Sequence, residues 1–266
     1  MRLPSTKVIL FNAGAIVVAG AAVFGAARSM LTASFTPPCS ERYLKLTMFS
    51  LERGGAMLTS TDLQAMSGGR DAGVQNVSIV RKAGPASLAV EVNLQKGSAG
   101  REDGMGFPWE PRILAGKTAA CLSYHVYLPK DFDFRRSGKL PGFAGGAEQT
   151  DAFVAPIIWD AIGRAGFSLR AASGPGVMAQ AEVRLPKGSW VRLDQEVVLN
   201  APKASNGILR VWVDGELAID RKDMNYRAGD QASLSAVVAD VHYTGPAVPG
   251  DKATKIWLSP FEVRWQ

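Results

Sequence analysis

The feature that most limits the fold of this chain is a series of short segments in which apolar and polar residues alternate with a period of two. In WVRLDQEVVL, residues 190–199, Val191, Leu193, Val197 and Leu199 share one face of an extended chain, while Arg192, Asp194, Glu196 and Val198 share the other. Successive side chains of a strand point to opposite faces, so such a segment can lay one face on a core. Further strand-like segments occupy 77–80, 88–94, 121–128, 166–171, 177–185 and 207–215. Asp214-Gly215, between WV and ELAI, is a two-residue hairpin signal. The 28 Gly and 15 Pro among 266 residues supply the turns that many short strands need. The one short helix expected is Glu41 to Arg53. Many strands and almost no amphipathic helix predict an all-β, antiparallel β-sandwich.

The charge balance narrows the partners. There are 30 Lys and Arg against 24 Asp and Glu, a net charge of +6 without a basic run of five. That argues against a nucleic-acid tail and leaves a polyanionic ligand open. Two His and two Cys argue against a zinc site built from Cys and His clusters and exclude a multi-cysteine scaffold. No Gly-rich phosphate loop, dinucleotide fingerprint or Ser-His-Asp order is present, so no cofactor is expected. A carboxylate pair for glycoside hydrolysis is not visible either, because Glu110, in a proline-flanked loop beside Trp109, has no evident acidic partner.

At the N-terminus, Arg2 and Lys7 precede the uncharged stretch VILFNAGAIVVAGAAVFGAA, residues 8–27. A positive start followed by a long apolar segment ending in small residues reads as an export signal. Residues 1–27 are expected as a cleaved signal peptide or a retained single-span anchor. Both place the rest outside the cytoplasm, whether secreted, periplasmic or in the cell envelope. Residues 28–76 read as a spacer and N-terminal extension, with Thr36-Pro37-Pro38 as the spacer between the export segment and the folded part, and residues 77–266 as the β domain. In an oxidising compartment Cys39 and Cys121 can form a disulfide, worth roughly 4 kcal/mol in the loop-entropy model. Two separate buried thiols are the competing reading, since Cys121 lies in an apolar run. Nothing in the sequence fixes an oligomeric state.

The stretch from Ala120 to Gly146, ACLSYHVYLPKDFDFRRSGKLPGFAGG, joins a strand, an acidic-aromatic turn and the run Gly138-Lys139-Leu140-Pro141-Gly142. It resembles family 14 of the polysaccharide lyases, which carry a GFDF-like turn followed by a GGKLPG-like signature. Leu88 to Ser98 is similar to that family's early strand and KGS turn, and Phe167-Ser168-Leu169-Arg170 to its FSxR strand. Gly207 to Gly215 and Ser259 to Val263 are similar to its later strands, so the resemblance covers roughly residues 77–266. It implies a concanavalin-like jelly roll whose groove takes an acidic polysaccharide, such as alginate or a glucuronan, and cleaves it by β-elimination. That chemistry needs the uronate carboxylate neutralised, a base for the C5 proton and an acid for the leaving O4.

The resemblance places Lys139 at the family's essential lysine, on what reads as a turn fixed by proline and glycine, and Ser168 and Arg170 at its FSxR positions. A solvated loop lysine is the competing reading of Lys139. Ser168 and Arg170, two apart, share a strand face, where Arg170 can grip a carboxylate with two parallel hydrogen bonds. The family's following strand carries two tyrosines that this chain lacks in Val177 to Glu182. Met178 and Gln180, or Gln180 and Glu182, occupy their places. Methionine and glutamine do not exchange protons at catalytic rates, whereas Glu182 would if buried. Replacement from a neighbouring strand is the other route, either from Ser123, His125 and Tyr127, which share a face, or from His242-Tyr243. The sequence thus predicts catalytic roles for Lys139, Ser168 and Arg170, with Gln180, Glu182, His125 and Tyr127 toward substrate. The alternative is a catalytically reduced envelope protein that binds acidic glycans, and a purely structural envelope protein is the third reading.

Overall fold

Backbone pairing follows the alternating segments. The computed structural model describes residues 36–146, 151–172 and 174–266, so the expected export segment at 8–27 lies outside the described residues. In chain order the strands are β1 (Lys45–Met48), β2 (Glu52–Arg53), β3 (Ala56–Met57), β4 (Val77–Arg81), β5 (Leu88–Leu94), β6 (Pro108–Trp109), β7 (Ala119–Tyr127), β8 (Gly138–Gly145) and β9 (Phe153–Trp159). There follow β10 (Arg164–Ala171), β11 (Val177–Arg184), β12 (Trp190–Val198), β13 (Gly207–Val213), β14 (Glu216–Met224), β15 (Leu234–Val238), β16 (His242–Tyr243), β17 (Thr254–Leu258) and β18 (Glu262–Trp265). A nine-stranded sheet runs β14-β13-β12-β7-β17-β5-β4, with β18 pairing both β7 and β1. A seven-stranded sheet runs β11-β10-β9-β8-β15-β6, with β16 also on β8. Every strand pairing is antiparallel, as the sequence predicts for a sandwich.

The core lies between the two sheets. Val90, Val92, Leu122, Tyr124, Val126, Leu193, Val197 and Val211 of one sheet meet Leu140, Phe143, Ala155, Ile157, Trp159, Phe167 and Leu169 of the other. Each Val, Leu, Ile or Phe of this set contributes on the order of 1.5–3 kcal/mol by leaving water. The predicted hairpin at Asp214-Gly215 joins β13 to β14, and both residues take positive φ, 49° and 84°. That is the geometry a two-residue turn between right-twisted strands requires.

Residues 41–53 do not form the expected helix. A short helix spans only Cys39–Arg42, and Lys45–Met48 then pairs with the last strand in the register Lys45↔Trp265 to Met48↔Glu262. The β18 backbone offers unpaired donors and acceptors there, and pairing with them outweighs a short isolated helix. The part of the extension from Pro37 to Asn76 belongs to the sandwich, since Pro37–Gln266 forms one compact unit. Phe49, Leu51, Leu58, Leu63 and Val74 join the main core, with Phe49 against Phe107, Trp109 and Phe261. Cys39 and Cys121 form a disulfide across a sequence separation of 82. The polar face of β12 is also covered by this segment. Glu196, 1% exposed, accepts hydrogen bonds from Arg42 Nη2 at 2.8 Å, Tyr43 Oη at 2.8 Å and Arg210 Nη1 at 2.9 Å. Among the described residues no helix is long and apolar enough to cross a membrane.

Candidate active site on the outer face of the seven-stranded sheet

Parity along β8, β9, β10 and the β15–β16 segment decides which side chains leave the core. Leu140, Ala155, Ile157, Phe167, Leu169, Val237, Ala239, Val241 and Tyr243 point inward. Their neighbours Lys139, Pro156, Ser168, Arg170, Val238 and Asp240 point outward and line a cavity of about 390 Å³. Lys139 is therefore a strand residue, not the turn residue the sequence suggests. Pro141 gives this strand the look of a turn in the sequence. It sits where the β8–β9 register shifts between Leu140 and Gly142, and a proline is tolerated at such an irregularity.

This bulge is secured from the opposite sheet. The Pro141 carbonyl accepts from Tyr124 Oη at 3.0 Å, while Gln195 Oε1 accepts from the Phe143 amide at 3.0 Å and its Nε2 donates to the Ala155 carbonyl at 2.7 Å. Tyr124 and Gln195 are 1% and 0% exposed, so backbone groups freed by the bulge are satisfied inside the core. Gly142 is needed here, because a Cβ would stand 2.2 Å from the Ala155 carbonyl oxygen.

The cavity is rich in cations. Arg70 and Arg101 complete its wall with Pro108 and Val154. Arg70 is held by Glu110 through two hydrogen bonds, 2.7 and 2.8 Å, and Arg101 pairs with Asp240 at 2.8 Å. Neither Lys139 nor Arg170 has an acidic partner among the described residues, and Ser168, half-buried, lies on the Arg170 face of β10. Lys139 stands directly across from His242 in the β8–β16 pairing. His242 is 5% exposed; burial lowers its imidazole below the ordinary value, with Lys139 and Arg101 adding to that, against the Tyr243 carbonyl and Asp240.

The other predicted residues divide. On β11, Met178 pairs directly with Ser168 and Gln180 with Gly166, so both stand on the outer face of the same sheet. Gln180 is exposed and accepts from Arg164 Nη2 at 3.0 Å. Glu182 is exposed, so the burial that would fit it for proton transfer is missing. His125 and Tyr127 are not brought to this cavity. They lie on β7, in the nine-stranded sheet, on the face opposite the inward-pointing Tyr124 and Val126. Tyr127 instead packs edge-on to Trp190 and Trp257, both at 5.6 Å, with Lys82 Nζ 4.5 Å from its ring. Arg70, Arg101 and Asp240 escaped the sequence reading. Asp240 and His242 had a signal, since in ADVHY they alternate with the inward positions Ala239, Val241 and Tyr243, whereas Arg70 and Arg101 come from loops whose spacing carries none.

Fold and site together define a β-jelly roll that presents on one sheet face two cations, Lys139 and Arg170, with no acidic partner among the described residues. The family model for polysaccharide lyase 14 matches residues 82–171 and 174–252, more than half of the chain. The chain belongs to polysaccharide lyase family 14. Among solved structures it is similar to the marine PL-14 alginate lyase from Aplysia kurodai, with a TM-score of 0.66 and 19% identity over 74% of this chain and 90% of that one. It is likewise similar to the alginate lyase of a Chlorella virus, TM-score 0.64 and 20% identity, covering 77% and 97% of the two chains. The endo-β-1,4-glucuronan lyase of the fungus Trichoderma reesei follows at TM-score 0.55 and 13% identity, with 74% and 88% covered. At such identities the likeness speaks to the fold. No curated protein sequence matches the chain.

Proposed function

We propose that the protein is an exported lyase that cleaves a uronate-containing polysaccharide, such as alginate or a glucuronan, by β-elimination. The observation that carries this reading is the meeting of Lys139 and Arg170, neither with an acidic partner among the described residues, beside Ser168 in one cavity. Two cations left unneutralised on a sheet face suit an anionic ligand, and a guanidinium fits a planar carboxylate through two parallel hydrogen bonds. In this reading Arg170 and Ser168 hold the uronate carboxylate, which makes the C5 proton more acidic, and Lys139 faces the leaving oxygen. Arg70 and Arg101 extend the positive wall toward a neighbouring sugar. The disulfide Cys39–Cys121 supports an oxidising compartment and so the export reading.

Met178 and Gln180 on β11 favour a second reading, a catalytically reduced binder of acidic glycans, because neither side chain transfers protons. Both readings require the same grip. The full chain is expected to bind alginate or glucuronan and to ignore a neutral glucan. Arg170→Ala should weaken that binding about tenfold or more, as loss of a charge-assisted hydrogen bond of ~1.5–3 kcal/mol implies. Equal affinity for the neutral polymer, or an unaffected Arg170→Ala variant, would remove the site assignment.

A further inference from the structure

A β-elimination needs a group that takes a proton, and the cavity wall is poor in them. Its ionisable side chains are Arg70, Arg101, Lys139, Arg170 and Asp240, and the one carboxylate is committed to Arg101. His242 is the neighbouring group with a free lone pair. Its side chain lies on the outer face of the sheet, because Val241 and Tyr243 on either side point into the core and Lys139 is its direct cross-strand partner. The ring is oriented by Nδ1, 2.8 Å from the Tyr243 carbonyl oxygen. A carbonyl only accepts, so Nδ1 carries the hydrogen and Nε2 is left as an acceptor. Nε2 is buried and meets no hydrogen-bond partner among the described residues. An unsatisfied buried polar atom costs on the order of 1–3 kcal/mol, which a fold retains where a ligand or a catalytic role uses it.

The loop at Gly104 also packs against the base of this side chain. A Cβ on Gly104 would stand 2.8 Å from the His242 Cβ and 2.2 Å from the Val241 carbonyl oxygen, so the loop backbone lies directly against this residue. The charged groups around the imidazole are Asp240, Lys139 and Arg101.

We propose that His242 is the proton acceptor of this site, taking the C5 proton of a uronate held by Arg170 and Ser168. The assignment rests on the lyase reading above. The C5–H electron pair becomes the C4–C5 double bond as the C4–O4 bond breaks, and Lys139 gives a proton to the departing O4. The proton now on Nε2 then passes to the neutral Lys139 amine across the β8–β16 pairing, which restores both groups without any co-reactant. Because Nε2 is buried, the uronate must displace a neighbouring side chain on binding, and Arg101, 40% exposed and held by its ion pair with Asp240, is the charged neighbour free to shift. Because burial keeps the imidazole neutral to lower pH than usual, the acceptor form persists below the ordinary value of 6.5.

The test is steady-state cleavage of alginate and of glucuronan by the full chain, read as ultraviolet absorbance of the unsaturated uronate. His242→Gln should lower kcat by about 10²–10⁴-fold and leave KM within about twofold. The wild-type rate should fall on an acid limb below 6.5, and any residual rate of the variant should lack that limb. A His242→Gln protein that keeps the wild-type kcat and limb overturns the assignment and leaves the lyase reading standing. If the variant does not fold, the wild-type profile decides, and a flat rate through the acid range counts against His242. A wild-type chain that forms no unsaturated uronate from either polymer removes the lyase reading and the acceptor role together.

Discussion

Lys139 and Glu196 show how the same charge chemistry serves opposite purposes on the two sheets. Among the described residues Lys139 has no acidic partner in its cavity, whereas Glu196 is buried with three donors around it. Burial alone would raise the Glu196 carboxyl, but the bonds from Arg42, Tyr43 and Arg210 outweigh it and hold the group below its ordinary value of 4.5. Burial first, then the Glu196 charge, push the Tyr43 phenol in the other direction. A carboxyl lowered in the folded state adds stability that is fully present above its unfolded value and is lost as pH falls through the folded one. Denaturant unfolding should therefore show stability declining below about pH 5, with part of that slope absent in Glu196→Gln. At neutral pH the variant should be less stable by about 1–3 kcal/mol, since it weakens three charge-assisted hydrogen bonds while Arg210 keeps Asp220 at 2.8 Å and Arg42 stays partly exposed. A variant that keeps both the stability and the acid slope would show that the N-terminal segment is not tied down through Glu196.

At the scale of the element, β8 is the strand on which the site depends, and its bulge is what the opposite sheet must secure. Gln195 spans the core to satisfy both the Phe143 amide and the Ala155 carbonyl. Gln195→Leu keeps the volume and removes both bonds, so it should cost about 1–3 kcal/mol per group left unsatisfied. The same change should lower cleavage or binding of polyuronates, because Lys139 is positioned by this irregularity; a fully stable and active variant would contradict the coupling. These particulars explain what the sequence could reveal. The β12 and β13 strands are legible because their alternation and the Asp214-Gly215 turn are local. Strand β8 reads as a turn because its proline and glycines report a bulge whose partners, Tyr124 and Gln195, are distant in sequence. Lys139, Ser168 and Arg170 are legible as a group through a family pattern, while Arg70 and Arg101 depend on contacts with Glu110 and Asp240 that no spacing announces. His125 and Tyr127 have the right chemistry on the wrong sheet, a distinction that requires the strand order.

At the scale of the whole molecule, the sandwich separates its duties. The nine-stranded sheet carries the disulfide, the buried Glu196 cluster and the Lys82–Tyr127–Trp257 stack. The seven-stranded sheet carries the cation-lined cavity. Residues 37–76 bind the two together, since Cys39 and β1 engage the first sheet and Arg70 enters the cavity wall of the second. The central claim, that this cavity cleaves polyuronates by elimination, is tested most directly by the masses of the products formed from a uronate oligosaccharide of defined length. Elimination divides the chain without adding water, so the account predicts two fragments whose masses sum to that of the substrate, one bearing the unsaturated sugar. Fragments whose masses sum to the substrate plus one water would mean hydrolysis, and an oligosaccharide bound but recovered whole would mean a binding protein; either would contradict the account.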